Sequence, residues 1–481
     1  MKKVALVFIC ILHGVATVCA QKQQLLYDLY EIPHSLLLNP GVKTPQNWHV
    51  GFPALSRISF YAGSSGVSAA DLLADDGVDF TTKFADEVIY GMNFRDDVSV
   101  GQFYDVLYGG FRGKNNPNNY YSFGLYGEGY LLGYWPQDIA QLTFDGNANA
   151  LGRRFDLNHI AARGEGVGVF HFGINKKVNA KWQIGARAKL YSSVFEIKST
   201  RNSGYFVTTE GENNILRNTL VADIQVRTSG IESLFDVFSS DATTEEMPGH
   251  ILKRALLGGN LGLGFDAGFT YSLNQQTFIT GSIQDVGFIY HSNDVKNYTL
   301  NGAAINEGIE IRLPEDLQNT TTEFWQDLVD EIETLIPFET NTNSYISLRP
   351  TKINASIRHN WGERGFSTKS CECSTNMVPR TNDLDYVNAA GAQLFAMYRP
   401  RGPYLALTGF YQRRIGNVLA LKTTYSVDKY TLSNIGLGLN FQFGPVNLFV
   451  LGDNLLAYRN ITDSQFASFQ FGLNIISWNN Y

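Results

Sequence analysis

Leu261, Leu263, Phe265, Ala267, Phe269 and Tyr271 alternate without a break with Gly262, Gly264, Asp266, Gly268, Thr270 and Ser272. A period of two puts the first set on one face of an extended strand and the second on the other. The order returns as Trp182, Ile184, Ala186, Ala188 and Leu190 against Gln183, Gly185, Arg187 and Lys189. It returns again as Ile435, Leu437, Leu439, Phe441 and Phe443 against Gly436, Gly438, Asn440, Gln442 and Gly444. Close to the last residue, Phe469, Phe471, Leu473 and Ile475 oppose Gln470, Gly472 and Asn474. A soluble sandwich also alternates, but it turns its apolar side inward. Here the other face is rich in glycine and carries charges, and the segments run almost to the last residue, as closure requires. No stretch after residue 20 is apolar for long enough to make a spanning helix. A closed sheet satisfies its backbone groups between strands and can turn its apolar face to lipid. The expected fold is therefore all-β: a transmembrane antiparallel β-barrel with short helical insertions.

Composition agrees. The 481 residues include 46 Gly, 32 Phe and 25 Tyr but only 14 Pro, which suits long strands that cannot spare backbone donors. Further strand candidates lie near 47–62, 97–112, 119–134, 164–175, 216–228, 276–291, 344–359, 388–399, 403–413, 417–428 and 445–452. These segments make about 12 to 16 strands, and 14 are expected because single-chain bacterial barrels use even numbers. The formal charge of −7 argues against a nucleic-acid partner, which needs a basic footprint.

Lys2 and Lys3, the mostly apolar Val4 to Val18, and the small residues of Val18-Cys19-Ala20 read as a signal peptide cleaved after Ala20. A lipoprotein anchor on Cys19 is the rival reading, and Ala16-Thr17-Val18 fits it poorly. Residues 1–20 are thus assigned to the signal peptide, 21–46 to an N-terminal segment and candidate plug, and 47–481 to an outer-membrane barrel. Insertions interrupt the barrel at 230–257 and 314–337. The first has helix-like pieces, Ile231 to Phe238 and His250 to Leu257. The second is the clearest helix. Thr320 and Glu323 can form a capping box, and Trp325, Leu328, Val329, Ile332 and Ile336 make one apolar stripe. It is too short and too acidic to cross a bilayer. Its stripe needs a host, either the barrel's mouth or a second protein.

The chemistry-bearing patterns are weak. Cys371 and Cys373, with His359 as a candidate third ligand, fall short of a closed zinc site, and the expectation is no metal and no cofactor. Asp145, Asn147, Asn149 and Asp156 match part of a calcium loop, but Ala150 stands where the turn needs glycine. Gly259, Gly262 and Gly264 lie in strand alternation, without a βαβ unit. No GxSxG elbow, HExxH helix or persuasive acid pair is present, so the chain is read as a non-enzyme. Gln183, Arg187, Lys189 and Asp266 are the candidate lumen residues. Leu263, Phe265 and Phe269 should face lipid, while Asp266 and Thr270 face the lumen, so an arginine should be costly at Phe265 and mild at Thr270.

Several short motifs share an order with a known group. They are Ile32-Pro33-His34-Ser35, Leu38-Asn39-Pro40, His49-Val50-Gly51-Phe52-Pro53, Leu55-Ser56, Phe144-Asp145-Gly146-Asn147, Gly262-Leu263-Gly264-Phe265-Asp266, Asp285-Val286-Gly287-Phe288-Ile289, Asn434-Ile435-Gly436-Leu437-Gly438 and Asp453-Asn454-Leu455-Leu456. Across nearly the whole mature chain they resemble an uncharacterised family of Bacteroidota outer-membrane barrels. That family is distantly similar to FadL-type fatty-acid transporters and to the PorV barrel of type IX secretion. The terminal Tyr481 shares the odd phase of Phe469 and Phe471, and outer-membrane barrels commonly end in such an aromatic. The resemblance implies outer-membrane lipid as the surroundings and transport of a hydrophobic or amphipathic small molecule. The alternative is a non-enzymatic anchoring or assembly barrel for a secretion or surface protein partner.

Overall fold

The computed structural model describes residues 24–211, 216–234, 246–307, 339–363, 386–455 and 465–478. The strands are joined into one antiparallel sheet that closes on itself. The first stave has two pieces, β1 (Gln46–Gly51) and β2 (Ile58–Ser64). It is followed by β3 (Asp97–Arg112), β4 (Asn119–Tyr134), the short β5 (Arg154–Asp156), β6 (Ala161–Lys177) and β7 (Trp182–Glu210). Next come β8 (Leu216–Ser229), β9 (Asn260–Ser272), β10 (Thr277–His291) and β11 (Val295–Glu307). The chain continues through β12 (Glu339–Asn341), β13 (Tyr345–Leu348), β14 (Lys352–Glu363), β15 (Tyr386–Met397) and β16 (Tyr404–Ile415). It ends with β17 (Leu419–Val427), β18 (Asn434–Phe443), β19 (Val446–Asp453) and β20 (Phe466–Trp478). Closure is made by β20, which pairs with β1 from Gln46↔Trp478 to Gly51↔Asn474 and with β2 from Ile58↔Phe471. The result is a 14-strand barrel.

Among the described residues, one end of the barrel has short turns and the other carries the long connections. Residues 113–118, 178–181, 273–276 and 444–445 join strands at the first end. Residues 65–96 and 135–160 lie at the second and include the helices Ala69–Leu73, Phe80–Lys83 and Gln137–Asp145, for which the sequence had given no expectation. Among the described residues no helix is long and apolar enough to cross a membrane. The outward face is apolar: Leu263 is 59% exposed and Phe265 48%, whereas Asp266 and Thr270 are 0% and 1% exposed.

The 29-residue β7 is far longer than the ~9–11 residues that cross a bilayer. Its first half pairs with β9, from Trp182↔Tyr271 to Ser193↔Asn260. Its second half pairs with β8, from Glu196↔Ser229. Above this joint β8 and β11 pair with each other, Val295↔Ser229, and occupy the places that β9 and β10 hold below. Sequence alternation did not reveal β11 or the far half of β7. Water wets a wall that stands beyond the membrane, so nothing forces its outward side chains to be apolar. The Asn260 side chain ties the joint. Its Oδ1 accepts the N–H groups of Ser292 and Asn293 at 2.9 and 2.8 Å, and its amide donates to the Asn293 carbonyl at 2.9 Å.

Within the first insertion, Ile231 to Leu234 is helical, and the second helix begins earlier than expected, at Glu246. It stops at Lys253 rather than Leu257. Residues Arg254–Gly258 form a wide turn in which Leu257 has φ 69°. Arg254 causes the break. Its Nε donates to the Val194 carbonyl at 2.8 Å, and its own carbonyl accepts the Ser192 hydroxyl at 2.5 Å, which draws the backbone onto the wall. The 314–337 helix with Trp325, Leu328, Val329, Ile332 and Ile336, the signal peptide, Tyr481, Cys371 and Cys373 all lie outside the described residues.

Candidate functional site

Residues 24–45 run through the inside of the barrel. Leu25, Leu26, Tyr27, Leu29, Ile32 and Leu38 pack on Phe449 and Leu451, which point inward from β19. Tyr30, Leu36 and Val42 pack with Tyr120. Apart from the single turn Ser35–Leu38, the segment has no regular structure, so its buried carbonyls need donors from elsewhere. The wall supplies them. Arg358 donates to Asp28 O at 2.7 Å, Lys422 to Tyr27 O at 2.6 Å and Tyr108 to Pro33 O at 2.9 Å. Arg187 reaches Leu36 O and, at 3.1 Å, Leu37 O. Ser282 reaches Leu38 O at 2.7 Å, Thr270 reaches Gly41 O at 2.8 Å, and Asn175 reaches Pro40 O at 2.6 Å and Val42 O at 2.8 Å. Thr270 thus lies beneath Gly41 in a packed place, which corrects the expectation that arginine would be mild there.

The segment's His34 lies against the wall. Its Nε2 is 2.8 Å from Asp105 Oδ2, and Arg57 holds the other carboxylate oxygen at 3.1 Å. Burial holds the His34 imidazole below its ordinary value, although Asp105 pulls the other way. Burial pushes the Asp28 carboxyl up, against a hydrogen bond from Ser356 and the nearby Arg358 and Lys422.

A cavity opens against this segment. Leu37 and Leu38 touch it from the segment, and Tyr61, Phe103, Tyr126, Tyr130 and Phe395 present rings from the wall. Between the rings stands a network of charges. Lys189 lies 2.9 Å from Asp266 and 2.6 Å from Asp285, and Arg187 lies 3.0 Å from Asp266. Lys352 bridges Glu128 and Asp285 at 2.7 and 2.9 Å. Arg349 joins Glu128 at 2.8 Å and also Glu165, which Arg163 approaches at 3.5 Å. Arg163 is also 4.0 Å from Glu196. At the mouth, Arg399 is 3.2 Å from Asp97, and Tyr430 folds in from the 428–433 loop to donate to the same carboxylate at 2.5 Å.

The structure brings three of the four sequence candidates, Arg187, Lys189 and Asp266, into one contact. The fourth, Gln183, stands apart, and its amide donates to Val42 O and Asn175 Oδ1 at 2.9 and 2.6 Å. Asp285 was missed because a β-bulge between Ile283 and Val286 breaks the alternation there. The extra residue takes φ 57° and turns its carboxylate inward. The signal was present in the Asp285-Val286-Gly287 motif. Glu128, between Gly127 and Gly129 in β4, and Arg349 and Lys352 around Pro350 were equally legible as charges in a glycine- and aromatic-rich setting.

Among the described residues no group of three or more His, Cys, Asp or Glu could hold a metal. In the calcium-like loop, Asp145 accepts from the Tyr90 hydroxyl and Asn147 donates to Asn218 at 2.9 Å. One constellation has the outline of nucleophilic chemistry. Ser229 Oγ is 2.6 Å from His291 Nδ1, and His291 Nε2 is 3.1 Å from Glu196 Oε2. All three are 0–1% exposed, and the cavity does not reach Ser229. The group ties the ends of β8 and β10 to β7 at the joint.

A model of the family of unknown function DUF5723 matches residues 40–453. The chain belongs to that family. No curated protein matches it. Among solved structures, this DUF5723 member is similar to the toluene transporter TbuX of Ralstonia pickettii, with TM-score 0.39 and 9% identity over 92% of each chain. It is similar to a FadL homologue of Pseudomonas aeruginosa, with TM-score 0.39 and 9% identity over 96% of this chain and 95% of that one. It is also similar to the toluene transporter TodX of P. putida, with TM-score 0.36 and 9% identity over 92% and 90%. Likeness at these identities concerns the fold alone.

Proposed function

We propose that this DUF5723 member is an outer-membrane barrel that passes hydrophobic or amphipathic small molecules, with residues 24–45 as its plug. The observation that carries the reading is the cavity seated against Leu37 and Leu38 of the luminal segment and walled by Tyr61, Phe103, Tyr126 and Phe395. Concave, ring-lined space with a few fixed polar groups is what small-molecule sites are made of. The outward Leu263, Phe265, Leu394, Leu405 and Leu407, each about half exposed or more, support lipid as the surroundings. With Gln24 already inside the lumen beside Lys422, cleavage after Ala20 would leave only Gln21, Lys22 and Gln23 ahead of it. N-terminal mass spectrometry of the outer-membrane fraction checks that cleavage. The docking alternative depends on the 230–257 and 314–337 insertions, and no described contact favours it.

The test is uptake of a fluorescent amphiphile by proteoliposomes. The expected result is entry at least ten-fold faster than into protein-free vesicles. Equal entry in the two would refute the transport reading.

A further inference from the structure

We propose that the cavity selects amphiphiles whose polar head has no net charge, zwitterionic or polyhydroxylated, over heads that are anions or cations. This rests on reading the lumen as a conduit for amphiphiles, and it adds the class of head.

The argument is the pairing of charge around the cavity. Arg57, Arg163, Lys189, Lys352 and Arg399 line it. Each is within 3.5 Å of a carboxylate of the wall. With Arg187 and Arg349, which share those carboxylates, the cations number seven. The carboxylates they contact also number seven, the last of them Glu196, at 4.0 Å from Arg163. Lys429 reaches Asp97 from the rim, where its side chain is 34% exposed to solvent.

A head with a net charge loses its hydration on entering such a site. Only a net opposite field or a free partner would repay that loss, and each of these wall charges is already held by an opposite one. An anion approaching Lys352 must compete with Glu128 and Asp285, both already within 3 Å of that ammonium. A cation approaching Asp285 meets Lys189 and Lys352 in the same way. Whichever group is displaced is left unpaired and buried, which costs more than the new contact returns. A head without net charge avoids this: a sugar's hydroxyls both donate and accept, and a phosphocholine, which only accepts, carries its two charges together and needs no net field. Such a head can hydrogen-bond to Asn354, Ser99 and the Tyr61 hydroxyl, and lie along the closed ion pairs without breaking one. Leu37, Leu38, Phe103 and Phe395 then take the tail.

The experiment uses the mature chain in nanodiscs, with empty nanodiscs as the blank. Four probes share an eight-carbon tail: octyl glucoside, octylphosphocholine, octanoate and octyltrimethylammonium. Binding is measured by equilibrium dialysis below micellar concentrations. The first two should bind at least ten-fold tighter than either ion. Octanoate or octyltrimethylammonium binding as tightly as octyl glucoside would overturn the inference while leaving the conduit reading intact. Binding of none of the four would remove the conduit reading, and this inference with it. A second measurement shifts the balance itself. Lys352→Met removes one positive charge, and its side chain is 16% exposed rather than sealed. It should raise the ratio of octyltrimethylammonium to octanoate binding about ten-fold. An unchanged ratio would also overturn the inference.

Discussion

Gly185 and Gly268 stand opposite each other on β7 and β9, and together they leave the notch that the Asn39-Pro40-Gly41 turn fills. A Cβ on Gly185 would overlap the Pro40 carbonyl, and one on Gly268 would overlap Asn39 Oδ1. Gly41 in turn has no room for a side chain against the Gly268 backbone. Gly185→Val should therefore leave the barrel closed but lift the luminal segment, at an overpacking cost of about 1–3 kcal/mol or more. Hydrogen exchange across residues 36–44 should quicken, and small-solute leakage should rise. Unchanged protection would show that the notch does not hold the turn.

The outward face gives a second prediction. Phe265→Arg should destabilise the refolded barrel by about 2–4 kcal/mol if the residue lies near the bilayer midplane. Phe265→Leu should be mild by comparison. Equal tolerance of both changes in a lipid refolding titration would contradict the placement of this face in lipid.

Lys189 sits between Asp266 and Asp285 with a 3% exposed side chain. Removing it leaves two buried carboxylates short of a partner, a defect of about 3–5 kcal/mol. Lys189→Met should lower stability by that order. Adding Asp285→Asn should recover part of it, and a double variant no better than the single would argue against the coupling.

His34 predicts a pH dependence of the luminal segment. Its folded value is depressed, so its contribution is complete above about pH 6.5, where the unfolded imidazole is neutral as well. Below that pH the released chain takes the proton first. Stability is then lost as pH falls toward the folded value. Asp105 and Arg57 face the ring, and Asp28, with its raised carboxyl, acts in the opposite direction. The comparison is therefore between wild type and His34→Asn. Exchange across residues 31–37 should quicken from pH 7.5 to pH 5 more in the wild type, and identical profiles would exclude His34 as the titrating group.

The barrel could be read from the sequence because lipid imposes a strict rule on every other side chain, as Leu263, Phe265 and Leu437 show. Where lipid is absent the rule lapses, and β11 with the far half of β7 went unseen. Arg187, Lys189 and Asp266 were legible as inward charges, because nothing else explains a charge within such alternation. Their partners were less so. Asp285 enters the lumen through a bulge, which shifts its phase. Glu128 and Lys352 meet across the lumen from β4 and β14, a proximity that only barrel closure creates. Leu38-Asn39-Pro40 was legible only as a motif shared with a known group, and its seat between two glycines required the register of β7 against β9.

The most direct test of the central claim narrows the cavity itself. Asn354 points into it from β14, where a larger side chain meets open space. Asn354→Trp in reconstituted vesicles, with folding checked by heat-modifiable mobility, should lower amphiphile uptake at least ten-fold. Uptake at the wild-type rate through a correctly folded Asn354→Trp barrel would contradict passage through this cavity.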